Sequence, residues 1–526
     1  MRYLIQNVKI YDGLGNKPFL GDVVVEGEKI QSVSPHADYA HTIGDVIDGT
    51  GLSLAPGFVD VHTHSDAQVE KDPGRPGRLL QGITSEIGGQ CGSTRAPFSD
   101  DMSEETKKYL ATVNGFPKWR YTFEELLTDL GALPLGAHQK YFVGHRNLHC
   151  CVAGIEQRPV TDKELDRMCG LCEEAMQAGA LGLSTGLTYI PGPYTDTKEL
   201  IALAKVAAKY GGMYTSHMRN ESDKMLESVK EVLEIGRQAG LPVNISHIKT
   251  MYPDNWSKTE QALELVDKAI AEGLDVTMDA YPYDACSTTI LSTVPPSVNS
   301  LGIDAIVRMI EDPAGKAHLK DLVMGGGEDY ENPMMSIGPG KILVVGAKNT
   351  KDAIGKFISE YGEANGLDGF DAWCKLIHDN EGAVTDVRFA MRNEDIGKFY
   401  SHPKCMVGSD GLYSGGVGLC HPRYFGTMTR YLARFVRDGG VLPMEEGIRR
   451  ITSMACERYG LKNKGVIRAG YDADLVLFDE NKLMDHADYL NPFAPNEGIR
   501  MVFVMGGIAA VDNVVTGLAN GKLYRR

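Results

Sequence analysis

The stretch Pro56-Gly57-Phe58-Val59-Asp60-Val61-His62-Thr63-His64 decides the fold. It is a short apolar run ending in two imidazoles, and in a strand residues i and i+2 share a face. His62 and His64 therefore project together from the end of a buried strand, an arrangement suited to a divalent metal. Seven more apolar runs follow at 84–87, 141–143, 180–183, 213–215, 243–245, 275–278 and 405–407. Helical patterns lie between them, such as 199–210 and 223–239, the latter closed by Gly240 as a C-cap. Short strands alternating with helices make a parallel α/β sheet, and eight of them imply a closed (β/α)8 barrel of the TIM type.

Both chain ends read differently. Runs at 3–10, 22–26 and 29–33, and again at 474–478, 499–505 and 508–511, alternate between turn signals as antiparallel strands do. Neither end could cover a hydrophobic face alone, so residues 1–55 and 465–526 are expected to pair into one small β-sandwich domain around a barrel at 56–464. Between strands seven and eight, residues 288–394 are too long for a loop and carry mixed helical signals with a Gly-rich tract. They are expected to be an insertion over the C-terminal face, where lids and specificity elements sit.

Composition narrows the function. The chain has 526 residues, a formal net charge of −16 and 24% charged residues. A surface this acidic repels polyanions, so nucleic acid is not an expected partner. The N-terminus lacks a signal-peptide pattern, and the longest apolar stretch, 501–511, is about half the ~20 residues of a spanning helix. A cytoplasmic protein with no membrane partner is the expectation. Ten cysteines in a chain this long are not a disulfide framework, and the Cys169/Cys172 pair falls in a helix opened by a Thr161–Glu164 capping box, so it is read as packing.

Further metal-ligating side chains stand at other strand ends. His217 follows strand five, His247 follows strand six, and Asp410 follows strand eight in Gly-Ser-Asp-Gly. Cys91 sits after strand two among glycines, not apolar neighbours. Four histidines at three strand ends suit zinc, and a carboxylate beside them can ligate it or transfer protons.

This constellation resembles the amidohydrolase superfamily, and within it the N-acyl-D-amino-acid deacylases (D-aminoacylases). The matching motifs run in order along nearly the whole chain: Gly89-Gln-Cys-Gly92, Gly182-Leu-Ser-Thr-Gly-Leu-Thr-Tyr189, Ser216-His-Met-Arg219, Ser246-His-Ile-Lys249, Tyr281-Pro-Tyr283, Gly408-Ser-Asp-Gly411 and His421-Pro-Arg423. The likeness implies a tightly bound zinc on Cys91, His217 and His247, with His62, His64 and Asp410 around a second possible site. It also implies an N-acyl amino acid as substrate, with Asp410 as the proton-transfer residue. Lys249 and Arg423 are candidates for the substrate α-carboxylate, helped by the hydroxyls of Tyr281 and Ser287. His145, at the end of strand three, is expected in the pocket, although Arg146 after it departs from the family's usual small residue. Strand four lacks the lysine that bridges two metals in dihydropyrimidinases, which favours linear over cyclic amides. A dipeptide, a cyclic amide or another N-substituted amino acid stays open as substrate, and oligomeric state has no signature.

Overall fold

The computed structural model describes residues 2–35, 45–66, 68–114, 118–413 and 418–526. Each of the eight expected runs is a strand: Phe58–Asp60, Ile83–Gly88, a third in two pieces (His138–Tyr141 and Val143–Gly144), Gly182–Gly186, Met213–His217, Val243–Ile245, Val276–Ala280 and Cys405–Val407. Numbered one to eight in that order, they pair in parallel with their neighbours. Strand three is broken at Phe142, so its first piece pairs strand two and its second pairs strand four. Just beyond strands one and eight, Thr63 and Gly411 form an isolated parallel bridge, where the Asp410 N–H donates to the His62 carbonyl at 2.7 Å and the His64 N–H to the Gly411 carbonyl at 3.0 Å.

These strands are buried along their whole length, which is why they read as apolar runs without alternation. Helices supply the cover. Thr197–Lys209 buries Leu200, Leu203, Ala204 and Ala207, and Met225–Ala239 buries Val229, Val232, Leu233 and Gly236. This i, i+3, i+4, i+7 spacing lines up one stripe per helix against the sheet. Asp196 caps the first helix by accepting the Glu199 N–H at 2.8 Å, and Gly240 at φ 69° ends the second as expected.

The chain ends pair with each other in one continuous hydrogen-bonded sheet of nine strands, and strands of the two ends also pack against one another, with Tyr3 6.0 Å from Phe503 between ring centroids. Ser53–Pro56 makes the sheet continuous. One of its edges pairs in parallel with the end of Arg2–Ile10 and the other pairs antiparallel with Leu475–Phe478, so it joins the two halves. Along Leu475–Phe478, Leu475 and Leu477 face a core with Ile5, Val8 and Phe503, while Val476 and Phe478 face the main core with Phe58 and Ile83. The small sheet is thereby welded to the strands that carry His62 and His64.

The long connection between strands seven and eight holds an antiparallel sheet that the helical signals concealed. Cys286–Thr289 and Ile342–Ala347 flank Val384–Arg388, with helices Ile303–Glu311, Pro313–Met324, Ile358–Asn365 and Gly369–Asp379 around them. Ser287 lies in the first of these strands, so the inserted structure begins before the expected boundary at 288. The insertion shares a core around Trp373 with Met102, Tyr109, Leu110, Cys150 and Ile190 beneath it, and the Trp373 indole N–H donates to the Thr293 hydroxyl at 2.6 Å.

Candidate metal centre

The C-terminal ends of the parallel strands bring His62, Cys91, His247 and Asp410 together, with one ligand atom from each lying within 4.8 Å of the others. The Cys91 sulfur is 3.3 Å from both His62 Nε2 and His247 Nε2. Asp410 Oδ1 is 3.0 Å from His64 Nε2 and 3.6 Å from His62 Nε2. His217 belongs to an adjoining group with Glu221 and His247, its ring 4.5 Å from that of His247 between centroids. The six residues named from the sequence thus share one region, with His247 common to both groups.

Local backbone is bent to achieve this. Cys91, His247 and Asp410 all have positive φ, at 52°, 34° and 48°. Such backbone in a non-glycine residue costs about 1–3 kcal/mol and persists where surrounding contacts enforce it. Here Asp279 accepts the His247 N–H at 2.9 Å, and Asp60 accepts both the N–H and the hydroxyl of Ser409 at 2.8 and 2.6 Å, fixing the turn into Asp410. The Cys91 loop comes close to strands three and four. A Cβ on Gly186 would lie 2.3 Å from the Cys91 carbonyl oxygen, and one on Gly144 would lie 2.4 Å from the Gly92 carbonyl oxygen.

The electrostatics suit a cation. Burial opposes ionisation of Cys91, but the imidazoles of His62, His247 and His64 outweigh it and hold the thiol well below its ordinary value. Burial likewise opposes ionisation of Asp410, and Arg423 foremost, then His247 and His64, hold it well below the usual carboxylate range. Burial lowers His217, keeping the imidazole in its neutral, ligating form. Neither ring nitrogen of His217 has a hydrogen-bond partner among the described residues, although both are buried. Buried polar atoms are normally satisfied, so a His217 ring without a hydrogen bond, its Nε2 3.5 Å from Glu221, fits the chemistry of a metal ligand.

Two carboxylates beside these candidate ligands escaped the sequence reading. Asp279 lies 3.3 Å from His62 Nδ1 and accepts from Asn244 Nδ2 at 2.7 Å. Glu221 lies 3.2 Å from His247 Nδ1 and accepts from Lys249 Nζ at 2.6 Å. Burial would raise Glu221, but Lys249 and the imidazoles of His217 and His247 hold it at about 2. Carboxylates behind ligating histidines fix the tautomer and raise ligand basicity. A hint was present in Glu221, four residues after His217, and in Asp279, at the end of strand seven.

A cavity of about 370 Å³ opens above the centre. Of the residues named from sequence, His64, Cys91, Ser287 and Asp410 line it, together with Tyr189, Arg146 and the insertion residues Lys348 and Thr385. Arg423 pairs with Asp410 at 2.9 Å, donates to the Ser287 carbonyl at 3.1 Å and stacks over Tyr281 at 4.6 Å. The Ser287 hydroxyl donates to the Asp386 carbonyl at 2.7 Å, and Tyr281 is buried with its hydroxyl 3.9 Å from Met391 sulfur. Two expectations need correction. Lys249 is not a free cation at the cavity wall, because it is buried and neutralised by Glu221. His145 is turned away from the cavity, its Nε2 2.7 Å from Glu199, which also binds His149 at 3.1 Å; Arg146, next along the chain, lines the cavity instead.

The sequence pattern of the amidohydrolase family matches residues 45–320, and a second amidohydrolase pattern matches residues 341–514. The chain is 30% identical to the D-aminoacylase of Alcaligenes xylosoxydans xylosoxydans over 524 residues, 99% of this chain and 97% of that protein. It is 32% identical to the N-acyl-D-aspartate deacylase of the same organism, over 96% and 91% of the two chains. The crystal structure of N-acyl-D-glutamate deacylase from Bordetella bronchiseptica, complexed with zinc and a phosphonate mimic of the tetrahedral intermediate, matches with a TM-score of 0.85 at 28% identity, covering 100% of this chain and 99% of that one. The fold, the ligand-bearing strand ends and these relatives together show that the chain belongs to the amidohydrolase family, in its N-acyl-D-amino-acid deacylase branch.

Proposed function

We propose that this chain is a zinc-dependent hydrolase that cleaves N-acyl-D-amino acids to a carboxylic acid and a free D-amino acid. The observation that carries the reading is the convergence of His62, Cys91, His247 and Asp410 on one point beneath the cavity, in a chain aligned end to end with D-aminoacylase. The same reading takes the parallel strands as a closed (β/α)8 barrel over 56–464, the paired ends 1–55 and 465–526 as its companion domain, and the insertion near 288–394 as the lid. A cytoplasmic site of action is part of it, supported by ten cysteines that are all free thiols.

Cys91, His217 and His247 would hold the tightly bound zinc, with His62, His64 and Asp410 around a second position. When bound, the ion supplies a Lewis acid for the amide carbonyl and a lower pKa for water. The protein supplies the rest. Asp410, kept ionised by Arg423, takes a proton from the attacking water and returns it to the amide nitrogen, which is too basic to leave as an anion. His64, 3.0 Å from Asp410 Oδ1, orients that carboxylate. Arg423, over the Tyr281 ring, anchored on the Ser287 carbonyl and paired with the cavity-lining Asp410, is our candidate for the substrate α-carboxylate, and Lys71, Arg146 and Lys348 are cations of the cavity wall itself. Lys249 acts through Glu221 on His247. The insertion covers the cavity through Lys348 and Thr385, so side-chain preference is set there.

The test is amine release from matched N-acetyl-D- and N-acetyl-L-amino acids with Met, Leu, Phe, Glu and Asp side chains. Hydrolysis confined to the D series is expected. No release from either series by zinc-loaded protein would contradict the deacylase reading and turn attention to dipeptides and cyclic amides.

A further inference from the structure

The insertion segment 328–332 reaches Glu221, beside the metal centre, and its side chains go to two destinations. Glu328, Tyr330 and Asn332 tie it to the insertion: Glu328 accepts the Ser297 N–H at 2.9 Å, the Tyr330 hydroxyl donates to the Thr293 carbonyl at 3.2 Å, and Asn332 Nδ2 donates to the Val323 carbonyl at 2.7 Å. Asp329 and Glu331 point the other way. Asp329 pairs with Lys224, and Glu331 accepts both the Glu221 backbone N–H and, at 3.3 Å, the Thr188 hydroxyl.

Glu331 is a costly residue to place there. Half-buried itself, it sits beside the buried acid Glu221, and desolvation followed by the charge of Glu221 raises it to about 7. Glu221 is the carboxylate that holds His247 and Lys249, and its buried N–H is secured by Glu331.

We propose that Glu331 is a positioning residue of the metal centre: by accepting the Glu221 N–H it fixes the carboxylate that orients His247, so the insertion determines metal affinity as well as substrate choice. The proposal rests on the reading of Cys91, His217 and His247 as zinc ligands. Outer carboxylates of this kind typically change metal affinity 10–100-fold, and Glu331 acts one step further out through the Glu221 backbone.

The experiment measures the zinc dissociation constant of the full-length apo protein by competition with a chromophoric chelator, for wild type, E331A, E331Q, E331D and the strap control D329A. Thermal unfolding is followed in parallel. Zinc binding by E331A is expected to weaken by about 10-fold or more. E331Q, whose amide oxygen still accepts the N–H, should stay within about 3-fold of wild type, and D329A should match wild type. E331D, one methylene short but still charged, should weaken like E331A and serves if E331A does not fold. Wild-type affinity in E331A, or in E331D when E331A does not fold, would overturn the proposal while leaving the zinc site standing. A wild-type protein that binds no zinc would overturn the ligand reading and this inference with it.

Discussion

Asp410 lies between Arg423 at 2.9 Å and His64 at 3.0 Å, so its carboxylate is ionised and aimed before any substrate arrives. Asp410→Asn keeps the shape and removes the proton acceptor. Turnover should fall by about 10²–10⁴-fold, the usual worth of general acid–base catalysis, with zinc content unchanged. Metal analysis and kcat on the same preparation check this, and near-normal turnover would remove Asp410 from the reaction. At this scale the sequence picked out the candidate ligands that the fold brings together. Each of Cys91, His217, His247 and Asp410 is the first strongly coordinating side chain after a buried run, a signal that needs only strand periodicity. It showed their partners poorly. Glu221 is tied to Lys249, 28 residues further along, and no local pattern reports that pairing. The same contact explains why Lys249, correctly placed on the face of His247, is not free for substrate.

Glycine placement governs how the elements meet at the centre. The Cys91 loop passes so close to strand four that Gly186→Ala would drive a methyl group into the Cys91 carbonyl, 2.3 Å away. That variant should lose zinc affinity by at least tenfold while far-ultraviolet circular dichroism stays native, because the displaced element carries a ligand and not the core. Full zinc affinity would show that the loop can relax elsewhere. Helix Asp162–Ala178 makes the contrasting case. Its capping box is formed as read from Thr161 and Glu164, and Cys172 is packed in the core. Thr161→Ala should cost about 1 kcal/mol in urea unfolding and leave the specific activity unaltered. Strands that are wholly buried were legible as apolar runs. Cys286–Thr289, half-buried along its length and with no apolar alternation, was not, and the antiparallel sheet it begins went unread.

The molecule as a whole is held around a buried charge cluster beside the centre. Glu86 of strand two accepts from Arg75 and Arg78 at 2.9 Å, from Ser65 at 2.9 Å and from Gln139 at 2.7 Å, joining strands two and three to the segment after His64. Burial would raise Glu86, but the two guanidinium groups hold it at about 2, below its ordinary 4.5. A depressed carboxylate stabilises the fold above its unfolded pKa and loses that contribution as pH falls through its folded one. Glu86→Gln should therefore destabilise the protein by about 3–5 kcal/mol at pH 7, since it leaves buried cations uncompensated. The gap to wild type should narrow between pH 4.5 and about 2, and a gap independent of pH would show that Glu86 is not the titrating group. The pairing of the two chain ends was foreseen because neither could bury a face alone. Their fusion into one sheet was not, because it depends on both edges of the four-residue strand Ser53–Pro56.

The most direct measurement is the rate of amine release from an N-acetyl-D-amino acid as zinc is titrated into the apo protein. The metal-free protein should be inactive, with activity rising over the first equivalent, and an equal amount of the L-substrate should remain uncleaved throughout. A metal-free protein that already hydrolyses the D-substrate at full rate would contradict the assignment of Cys91, His217 and His247 as the centre of catalysis.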